Sequence, residues 1–256
     1  MFSIITASFN QGRFIRECIE SVVSQGVEFE HIIVDACSTD ETRDVLREFP
    51  HLKWTSEPDK GQTDAINKGF RRARGEWLMW LNADDFLLPN ALKKVTDHIR
   101  QTEADVVYGN ANFVGMDGRL IREKREPDFH LGELLFYGCY IPSTATFHHR
   151  RIIDAGHLLD ASLKVCMDLE WFLRLAGLRY RFSHIDAPLA AFRWHETNVS
   201  RVHADKRITE GNRVKREFLK KQGREWLGNR AMLWLMHKVY RLRRVIRLAA
   251  TSSRGG

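Results

Sequence analysis

Apolar residues in the first hundred positions fall alternately into short continuous runs and into longer stretches with helical spacing. The runs cover residues 2–7, 31–35, 52–55 and 77–81, each of strand length. Between the first two runs, apolar side chains recur at three- and four-residue spacing, which predicts one buried face of a crossover helix: Ile15, Cys18, Ile19, Val22 and Val23. This alternation predicts an α/β fold with a parallel sheet, in which ligands bind beyond the carboxyl ends of the strands.

Local signals predict where several elements begin and end. Ser38 followed by Glu41 predicts a capping box, and Pro89 suits the first turn of a helix that runs to about residue 100. A further helical pattern over residues 164–177 ends at a glycine. Beyond residue 109 the rhythm changes: residues 116–119 predict a hairpin turn, and extended segments are expected at 180–184 and 189–194. The second half is therefore expected to be mixed.

The charge of the chain is unevenly distributed. The formal net charge is +7, but residues 206–256 carry 15 Lys or Arg against 3 Glu, which leaves a net charge of −5 on residues 1–205. A mildly acidic body suits a site lined with carboxylates, whereas the basic tail is expected to meet an anionic partner or stay solvated. Nucleic-acid binding is not expected, because the body is acidic and carries no recognition motif.

Composition narrows the class of protein further. With 256 residues and 43% hydrophobic content, the chain can bury one core with an appendage. No apolar stretch approaches the roughly 18 residues of a membrane span, and the first residues are typical of a strand rather than a signal peptide. Four scattered cysteines fit a reducing compartment. We expect a cytoplasmic protein.

Polar clusters follow the predicted strands at residues 6–10, 35–40, 57–69 and 82–85. Because strand ends of this kind meet at one edge of a sheet, the clusters are expected to form one site. A nucleoside diphosphate needs polar partners for its base and ribose, and a cation to screen its phosphates. Asp84 and Asp85 offer the hard oxygen ligands that Mg²⁺ or Mn²⁺ prefers.

With these motifs in this order, the sequence resembles the family 2 glycosyltransferases, which are inverting enzymes with the GT-A fold. The resemblance covers roughly residues 2–200. It rests on Ile-Ile-Thr-Ala-Ser-Phe-Asn at 4–10, Val-Asp-Ala-Cys-Ser-Thr-Asp at 34–40, Gly61 with Asn67 and Gly69, and Leu-Asn-Ala-Asp-Asp at 81–85. It implies a GT-A catalytic domain, a Rossmann-like sheet with helices on both faces, over residues 1–204. Its nucleotide-sugar half would be 1–110 and its acceptor-side half 111–204, followed by a basic amphipathic helical tail at 205–256.

The resemblance implies roles for individual residues. Thr6 and Asp35 would help hold the nucleoside, and residues 82–85 match the family's metal-binding Asp-x-Asp motif, although Asn82 stands where the family usually has Asp. The expected contacts to the nucleotide sugar are Thr6, Ser8, Asn10, Asp35, Asp59, Gly61, Asn67, Asn82 and Arg193. The expected ligands of Mg²⁺ or Mn²⁺ are Asp84, Asp85 and His195, with Asp84 carrying most of the binding.

An inverting transferase needs a general base to take the proton of the acceptor hydroxyl. Asp168 is the candidate, because residues 166–175 resemble the segment in which related enzymes place this carboxylate at a helix start. Glu170 is the competing carboxylate, but two residues correspond to about 200° around a helix, so both are not expected to face the site. Arg193 and His195 are expected near the diphosphate, where they would stabilise leaving-group charge.

The tail admits two interpretations. Residues 224–250 mix Trp, Leu and Val with Arg, a pattern typical of an amphipathic helix on an anionic membrane surface. Alternatively, the helix packs on the catalytic domain and leaves its basic face solvated. The first interpretation predicts a protein that is peripheral at the inner face of the cell membrane.

We therefore predict a metal-dependent glycosyltransferase that moves a sugar from a nucleotide-sugar donor to a glycan or lipid-linked acceptor, in the biosynthesis of cell-surface polysaccharide or glycolipid. Two alternatives stay open at this point. One is a noncatalytic sugar-nucleotide- or glycan-binding protein whose metal site is degraded by Asn82. The other is a sugar-phosphate nucleotidyltransferase, although no Gly-rich phosphate loop with a following basic residue lies near the first strand.

Overall fold

The fold is built on one mixed sheet of nine strands in the computed structural model, which describes residues 1–196, 198 and 204–252. The strands are β1 (Phe2–Ser8), β2 (Phe29–Asp35), β3 (Lys53–Ser56), β4 (Trp77–Trp80), β5 (Phe86–Leu87), β6 (Val106–Val114), β7 (Leu120–Lys124), β8 (Thr146–His149) and β9 (Phe182–Arg193). The α-helices are α1 (Gly12–Val23), α2 (Thr42–Arg47), α3 (Gln62–Arg72), α4 (Ala91–Ile99), α5 (Arg151–Asp154), α6 (Met167–Gly177), α7 (Ala204–Lys221) and α8 (Arg230–Ser252). A π-helical turn spans Glu133–Tyr137, and short 3₁₀ turns span Ser143–Ala145 and Glu225–Gly228.

The strand order explains why the sequence pattern changes halfway. The order is β3-β2-β1-β4-β8-β6-β9-β5, with β7 paired to β6 outside this path. The strands β3, β2, β1 and β4 are mutually parallel, whereas β8 joins β4 and β6 in antiparallel fashion. The parallel first half and the mixed second half are both confirmed. Because β6 crosses residue 110, the two halves share a strand; the domain boundary at 204/205 stays a prediction.

Both faces of the parallel strands are buried, as continuous apolar runs require. Ile4 and Met79 point to one face and pack against α1, whereas Ile5 and Trp80 point to the other and pack against α3. On this second face the rings of Phe70, Trp80 and Trp171 lie with centroids 5.6–6.2 Å apart. Trp171 belongs to α6, so this aromatic contact joins the second half of the chain to the parallel sheet.

Two of the predicted local signals are wrong. The Ser38 hydroxyl donates to Asp35 rather than capping a helix, and α2 starts only at Thr42, whose backbone amide donates to Asp40 Oδ1 at 3.0 Å. Pro89 lies just before Asn90, the N-cap residue of α4, and not in its first turn.

The hairpin turn at 116–119 is confirmed, with the amide of Gly115 donating to the carbonyl of Arg119 at 2.8 Å. The helix ending at Gly177 is confirmed as well. The two extended segments expected at 180–184 and 189–194 form a single strand, β9, because one long neighbour, β6, pairs with both. The pairing of β6 with β9 shifts register on either side of Asn110, between the two parts of β9 that correspond to the predicted segments.

The tail folds back on the domain. Helix α8 lies against the π-helical turn, where Tyr240 stacks on Phe136 with centroids 5.4 Å apart and Arg247 donates to Glu133 at 2.7 Å. The opposite side of α8 exposes Trp234, Leu235, Val239, Leu242, Val245 and Ile246. The helix therefore packs on the domain, as the second interpretation predicts, but much of the side that it leaves exposed is apolar, and Arg247 faces the domain. Binding of the tail to a membrane stays a prediction. None of the described helices is both long enough and apolar enough to cross a membrane.

Gly69 lies where α3 crosses β1, and a methyl group there would clash with Ile5 Cγ2. We expect Gly69→Ala to lower the free energy of unfolding by about 1–3 kcal/mol, because added volume in a packed interior forces neighbours apart. Gly211→Ala on α7 is the matched control: its methyl would meet Cys166 Sγ at 3.5 Å, an ordinary contact, and should stabilise by about 0.4–1 kcal/mol. Urea denaturation measures both, and equal midpoints would contradict this account of the packing.

Candidate functional site

A cavity of about 560 Å³ opens at the carboxyl ends of β1, β2 and β4, as predicted. All four polar clusters contribute to its wall. The lining residues are Ala7, Ser8, Phe9, Gln11, Ala36, Cys37, Pro58, Asp59, Gly61, Gln62, Asn82, Ala83, Asp84, His195 and Asn198. We call this the large cavity. Its volume lies in the range of small-molecule sites, so a ligand larger than a monosaccharide can fit.

A second cavity of about 180 Å³ adjoins the first, and we call it the small cavity. The two cavities share Gln62, Asn82, Asp84 and Asn198. Asp168 lines only the small cavity. Two ligands, one in each cavity, would therefore meet beside the four shared residues.

Ser8, Asp59 and Gly61 are predicted contact residues that do line the large cavity. The Ser8 hydroxyl is buried and has no hydrogen-bond partner among the described residues. Asp59 Oδ1 accepts from the backbone amide of Gly61 at 2.7 Å. Gly61 has φ +112°, a conformation that residues with a Cβ rarely adopt, so glycine is needed to turn the chain into α3.

Asn10 and Asp35 support the wall from behind instead of lining it. Asn10 Oδ1 accepts from the amide of Thr39 at 2.9 Å, which ties the loop after β1 to the loop after β2. The fully buried Asp35 carboxylate accepts from the amide of Ser38 at 3.0 Å and from the hydroxyl of Ser56 at 2.6 Å. These bonds occupy the carboxylate, so Asp35 holds the segments after β1, β2 and β3 together through Ser38 and Ser56. Its direct contact with a nucleoside stays a prediction.

Thr6 and Asn67 also lie outside the cavity wall. The hydroxyl of Thr6 is fully buried and lies 2.9 Å from His31 Nε2. Burial lowers the pKa of His31 to about 3, so this ring is neutral. Asn67 exchanges two hydrogen bonds, of 2.9 and 3.0 Å, with the backbone of Leu159. Buried polar groups need such partners, and these two side chains are used inside the fold instead of at a ligand.

Asp84, which lines both cavities, lies next to His195, which lines the large cavity. Asp84 Oδ2 lies 2.9 Å from His195 Nε2, and the imidazole stacks on Phe14 with centroids 5.4 Å apart. Asn198 fixes this turn, because its Oδ1 accepts from the backbone amide of His195 at 2.6 Å. Within residues 1–196, 198 and 204–252, no group of three or more His, Cys, Asp or Glu is spaced to hold a metal by itself. A cation here would complete its shell from ligand oxygens.

Asp85 is turned away from both cavities, contrary to its prediction as a metal ligand. Its side chain is buried and accepts from the backbone amide of Arg193 at 2.9 Å and from Asn82 Nδ2 at 2.8 Å. Burial, and then the charge of Asp84, raise the pKa of Asp85 well above its usual value. A carboxyl that is inaccessible and hard to ionise is a poor metal ligand, so Asp85 acts as an anchor for the loop.

Arg193 likewise lines neither cavity, and its expected position beside a diphosphate stays a prediction. Only 2% of its side chain is exposed. The guanidinium donates to the carbonyl of Asp84 at 2.9 Å and to that of Met116 at 2.8 Å, and it pairs with Glu17. Arg193 therefore joins the 116–119 turn and α1 to the loop that carries Asp84.

Of the two competing carboxylates on α6, Asp168 lines the small cavity and Glu170 does not. Glu170 pairs with Arg174 one turn along the helix at 2.8 Å. Asp168 lies in the first turn of α6, and burial raises its pKa above the ordinary value. A carboxylate with a raised pKa is a stronger base than an ordinary carboxylate, and its place beside a cavity suits a proton acceptor.

Two residues of the shared mouth are absent from the predicted set. Gln62 donates from Nε2 to Asn82 Oδ1 at 3.0 Å, and it follows Gly61 directly at the start of α3. Its position directly after the glycine turn is the sequence signal that could have identified Gln62 as a site residue. Asn198 had no such signal, because residues 198–200 match a glycosylation acceptor and not a site motif.

Known proteins resemble this chain in sequence. A model of the family described as glycosyl transferase family 2 matches residues 3–156. The succinoglycan biosynthesis protein ExoO of Rhizobium meliloti is 26% identical over 78% of this chain and 62% of its own length. The putative teichuronic acid biosynthesis glycosyltransferase TuaG of Bacillus subtilis is 26% identical over 78% of this chain and 81% of its own length. The chain thus spans less than two thirds of the first relative.

Solved structures share the fold. TarS 1–349 from S. aureus, in complex with UDP-GlcNAc, has a TM-score of 0.64 at 20% identity, covering 85% of this chain and 71% of that one. The mannosyltransferase PcManGT from Pyrobaculum calidifontis, in complex with GDP-Man and Mn²⁺, has a TM-score of 0.63 at 15% identity, covering 100% of this chain and 76% of that one. At these identities the likeness extends to the GT-A fold, which confirms the predicted fold class.

The raised pKa of Asp168 has a consequence for stability. A group whose folded pKa exceeds its unfolded pKa adds stability below the unfolded value and loses that contribution as the pH rises through the folded value. We therefore expect Asp168→Asn to unfold at a higher temperature than wild type at pH 7, with the difference narrowing toward pH 4. Thermal melts across this range measure it. Asp117→Asn, on the exposed hairpin turn, is the control. If the melting temperature of Asp168→Asn, relative to that of wild type, is lower at pH 7 than at pH 4, the raised pKa of Asp168 is contradicted.

Proposed function

The chain belongs to glycosyl transferase family 2, and from this premise we propose that it transfers a sugar from a nucleoside diphosphate sugar to an acceptor hydroxyl, with inversion at the anomeric carbon. The pair of adjoining cavities carries the proposal. One has the volume for a donor, and the other presents a carboxylate where an acceptor would lie. The wall that they share would bring the two reacting groups together, which is the main requirement for transfer between bound substrates.

The donor would occupy the large cavity. Its wall offers a free hydroxyl from Ser8, the carboxylate of Asp59 and the amide of Gln62, which suit the polar groups of a nucleoside and a sugar. Ala36 and Cys37, which follow β2, carry neither a carboxylate nor a basic side chain, so this part of the wall offers no carboxylate that would select one nucleobase. The structural neighbours support either a uridine or a guanosine nucleotide sugar as the donor, since TarS is bound to UDP-GlcNAc and PcManGT to GDP-Man.

Asp84 and His195 would hold Mg²⁺ or Mn²⁺. The fit is supported by the convergence of one carboxylate and one imidazole at the cavity mouth, which leaves room for ligand oxygens. When bound, the ion supplies positive charge that stabilises the departing diphosphate. Asn82 adds no charge, because an amide is neutral. Its oxygen accepts from Gln62 and its nitrogen donates to Asp85.

Asp168 would act as the general base. It would take the proton of the acceptor hydroxyl while that oxygen bonds to the anomeric carbon. The bond from this carbon to the diphosphate oxygen breaks on the opposite side, and its electron pair leaves with the nucleotide. The position of Asp168 in the small cavity supports this role, as does its raised pKa, because a stronger base is a better proton acceptor in the transition state.

The acceptor would be a glycan or a lipid-linked glycan of a cell-surface polysaccharide. The names of ExoO and TuaG, given for succinoglycan and teichuronic acid biosynthesis, support this class. The exposed apolar side of α8, flanked by arginines, supports association of residues 224–250 with an anionic membrane surface. Neither a noncatalytic binding protein nor a nucleotidyltransferase is favoured, since family 2 and TuaG are both named for glycosyl transfer.

Calorimetric titration with UDP, GDP and dTDP, each with and without Mn²⁺, tests the donor site. We expect one nucleotide to bind at least about tenfold more tightly with Mn²⁺, because Asp84 and His195 would hold the ion and its positive charge would stabilise the bound diphosphate. Asp84→Ala should lose this increase, whereas the control Asp117→Ala, which removes an exposed carboxylate of the hairpin turn, should keep it. Absence of binding under every condition would refute the donor assignment.

Asp168→Asn tests the base. We expect kcat to fall by about 10²–10⁴-fold, because the amide cannot accept the proton, while nucleotide binding persists. Glu170→Gln, two residues along the same helix, is the matched control and should stay active, since Glu170 lines neither cavity. In wild type, kcat should fall as the pH drops through the raised pKa of Asp168. The reverse pattern, with an inactive Glu170→Gln and an active Asp168→Asn, would exchange their roles.

A further inference from the structure

A further cavity, of about 580 Å³, lies between β7 and α8 and shares no residue with the large or the small cavity. Five of its lining side chains are cationic: Arg122, Lys124, Arg125, Arg241 and Arg244. Glu123, Tyr137, Val245 and Leu248 complete the wall. We call it the β7–α8 groove. With one carboxylate among five cations, its lining favours an anionic ligand.

Arg244 is the built part of this groove. Only 8% of its side chain is exposed, and its guanidinium lies between the rings of Tyr137 and Tyr140, 5.1 and 5.0 Å from their centroids. One side of the guanidinium pairs with Glu126, whose side chain is fully buried. Its nitrogen Nη2 makes that ion pair, whereas Nη1 has no hydrogen-bond partner among the described residues. Buried donors of this kind are rarely left unpaired, and Arg244 itself lines the groove.

The other cations leave positive charge in excess. Lys124 Nζ lies 2.6 Å from Glu126 Oε1, so this one carboxylate serves both Lys124 and Arg244. Arg125 and Arg241 are exposed and form no ion pair with a carboxylate of residues 1–196, 198 or 204–252. Arginine forks match phosphate oxygens in a bidentate geometry, which makes a phosphate group the best fit to this chemistry.

The apolar rim identifies what carries the phosphate. Val245 and Leu248 line the groove itself, and Val245 is 60% exposed. The same helix exposes further apolar side chains: Trp234, Leu235, Val239, Leu242 and Ile246. A free phosphate in water would make no use of this apolar surface, whereas a phosphate attached to hydrocarbon chains would use both features.

We infer that the β7–α8 groove binds the phosphate headgroup of an anionic membrane lipid, with the exposed apolar side chains of α8 lying in the membrane interface. The inference rests on the proposed function, because the role that it gives the groove is to hold the enzyme at the membrane where a lipid-linked acceptor is presented. It goes beyond diffuse attraction to a negative surface, because it assigns one phosphate group to named arginines.

Vesicle flotation with the full chain tests this inference. The vesicles are phosphatidylcholine alone, phosphatidylcholine with phosphatidic acid, and phosphatidylcholine with a carboxylate-headgroup lipid at the same zeta potential. The groove variant is Arg125→Ala with Arg241→Ala, and the matched control is Arg230→Ala with Lys238→Ala, two exposed cations of α8 that do not line the groove. Thermal unfolding verifies that both double variants fold.

We expect wild type to bind the phosphatidic acid vesicles about tenfold or more tightly than the carboxylate vesicles. The groove variant should lose this preference and the control should keep it. If both double variants lose vesicle binding equally, or if wild type binds both anionic vesicles equally well, the binding is diffuse attraction to negative charge. Either result would overturn the inference. Calorimetric binding of inorganic pyrophosphate that the groove variant loses, without vesicle association, would assign the groove to a free phosphate and overturn the lipid.

Nucleotide titration of the groove variant separates this inference from the proposed function. The variant should bind nucleotide as wild type does, since the groove and the large cavity share no lining residue. Failed vesicle binding with intact nucleotide binding therefore refutes the groove alone. Intact, phosphate-selective vesicle binding without nucleotide binding refutes the donor site alone.

Discussion

The buried carboxylate of Asp85 is the interaction on which the site depends. It accepts from the backbone amide of Arg193, at the end of β9, and from the side chain of Asn82, just beyond β4. Both donors come from segments that line or support the cavities, so one carboxylate ties the end of β9 to the loop after β4. Burying it is unfavourable, as its raised pKa indicates, and its hydrogen bonds offset that burial.

The guanidinium of Arg193 extends this anchor in a second direction. It donates to backbone carbonyls of Asp84 and Met116 and pairs with Glu17 on α1. The loop that carries Asp84 is thereby held at two points: the side chain of Asp85 binds the backbone of Arg193, and the backbone carbonyl of Asp84 binds the side chain of Arg193. Since His195 follows Arg193 by two residues, the same anchor delivers the imidazole to Asp84. A site held in this way is formed before a ligand arrives, and little ordering remains to oppose binding.

The three parts of the chain then contribute different chemistry to one surface. The parallel half forms the large cavity from its strand ends, the mixed half supplies Asp168 to the small cavity, and the tail lays arginines beside β7. The aromatic cluster around Trp171 secures α6 to the sheet, and the stacking of Tyr240 on Phe136 secures α8 to the domain. Packing between distant segments therefore positions each chemical group.

The sequence by itself determined the strand and helix order and the meeting of polar clusters at one sheet edge, because periodicity and chain order are local properties. The role of Asp168 rather than Glu170 as the base came from the family resemblance and stays a prediction. It did not determine which way adjacent polar side chains point. Asp84 and Asp85 have nearly the same local sequence, yet only Asp84 lines a cavity, because Arg193, 108 residues away, captures Asp85. Thr6, Asn67 and Arg193 are likewise buried by partners distant in sequence, and Asn198 reaches the site only through the turn at His195. Orientation of this kind depends on long-range contacts, which only the tertiary structure supplies.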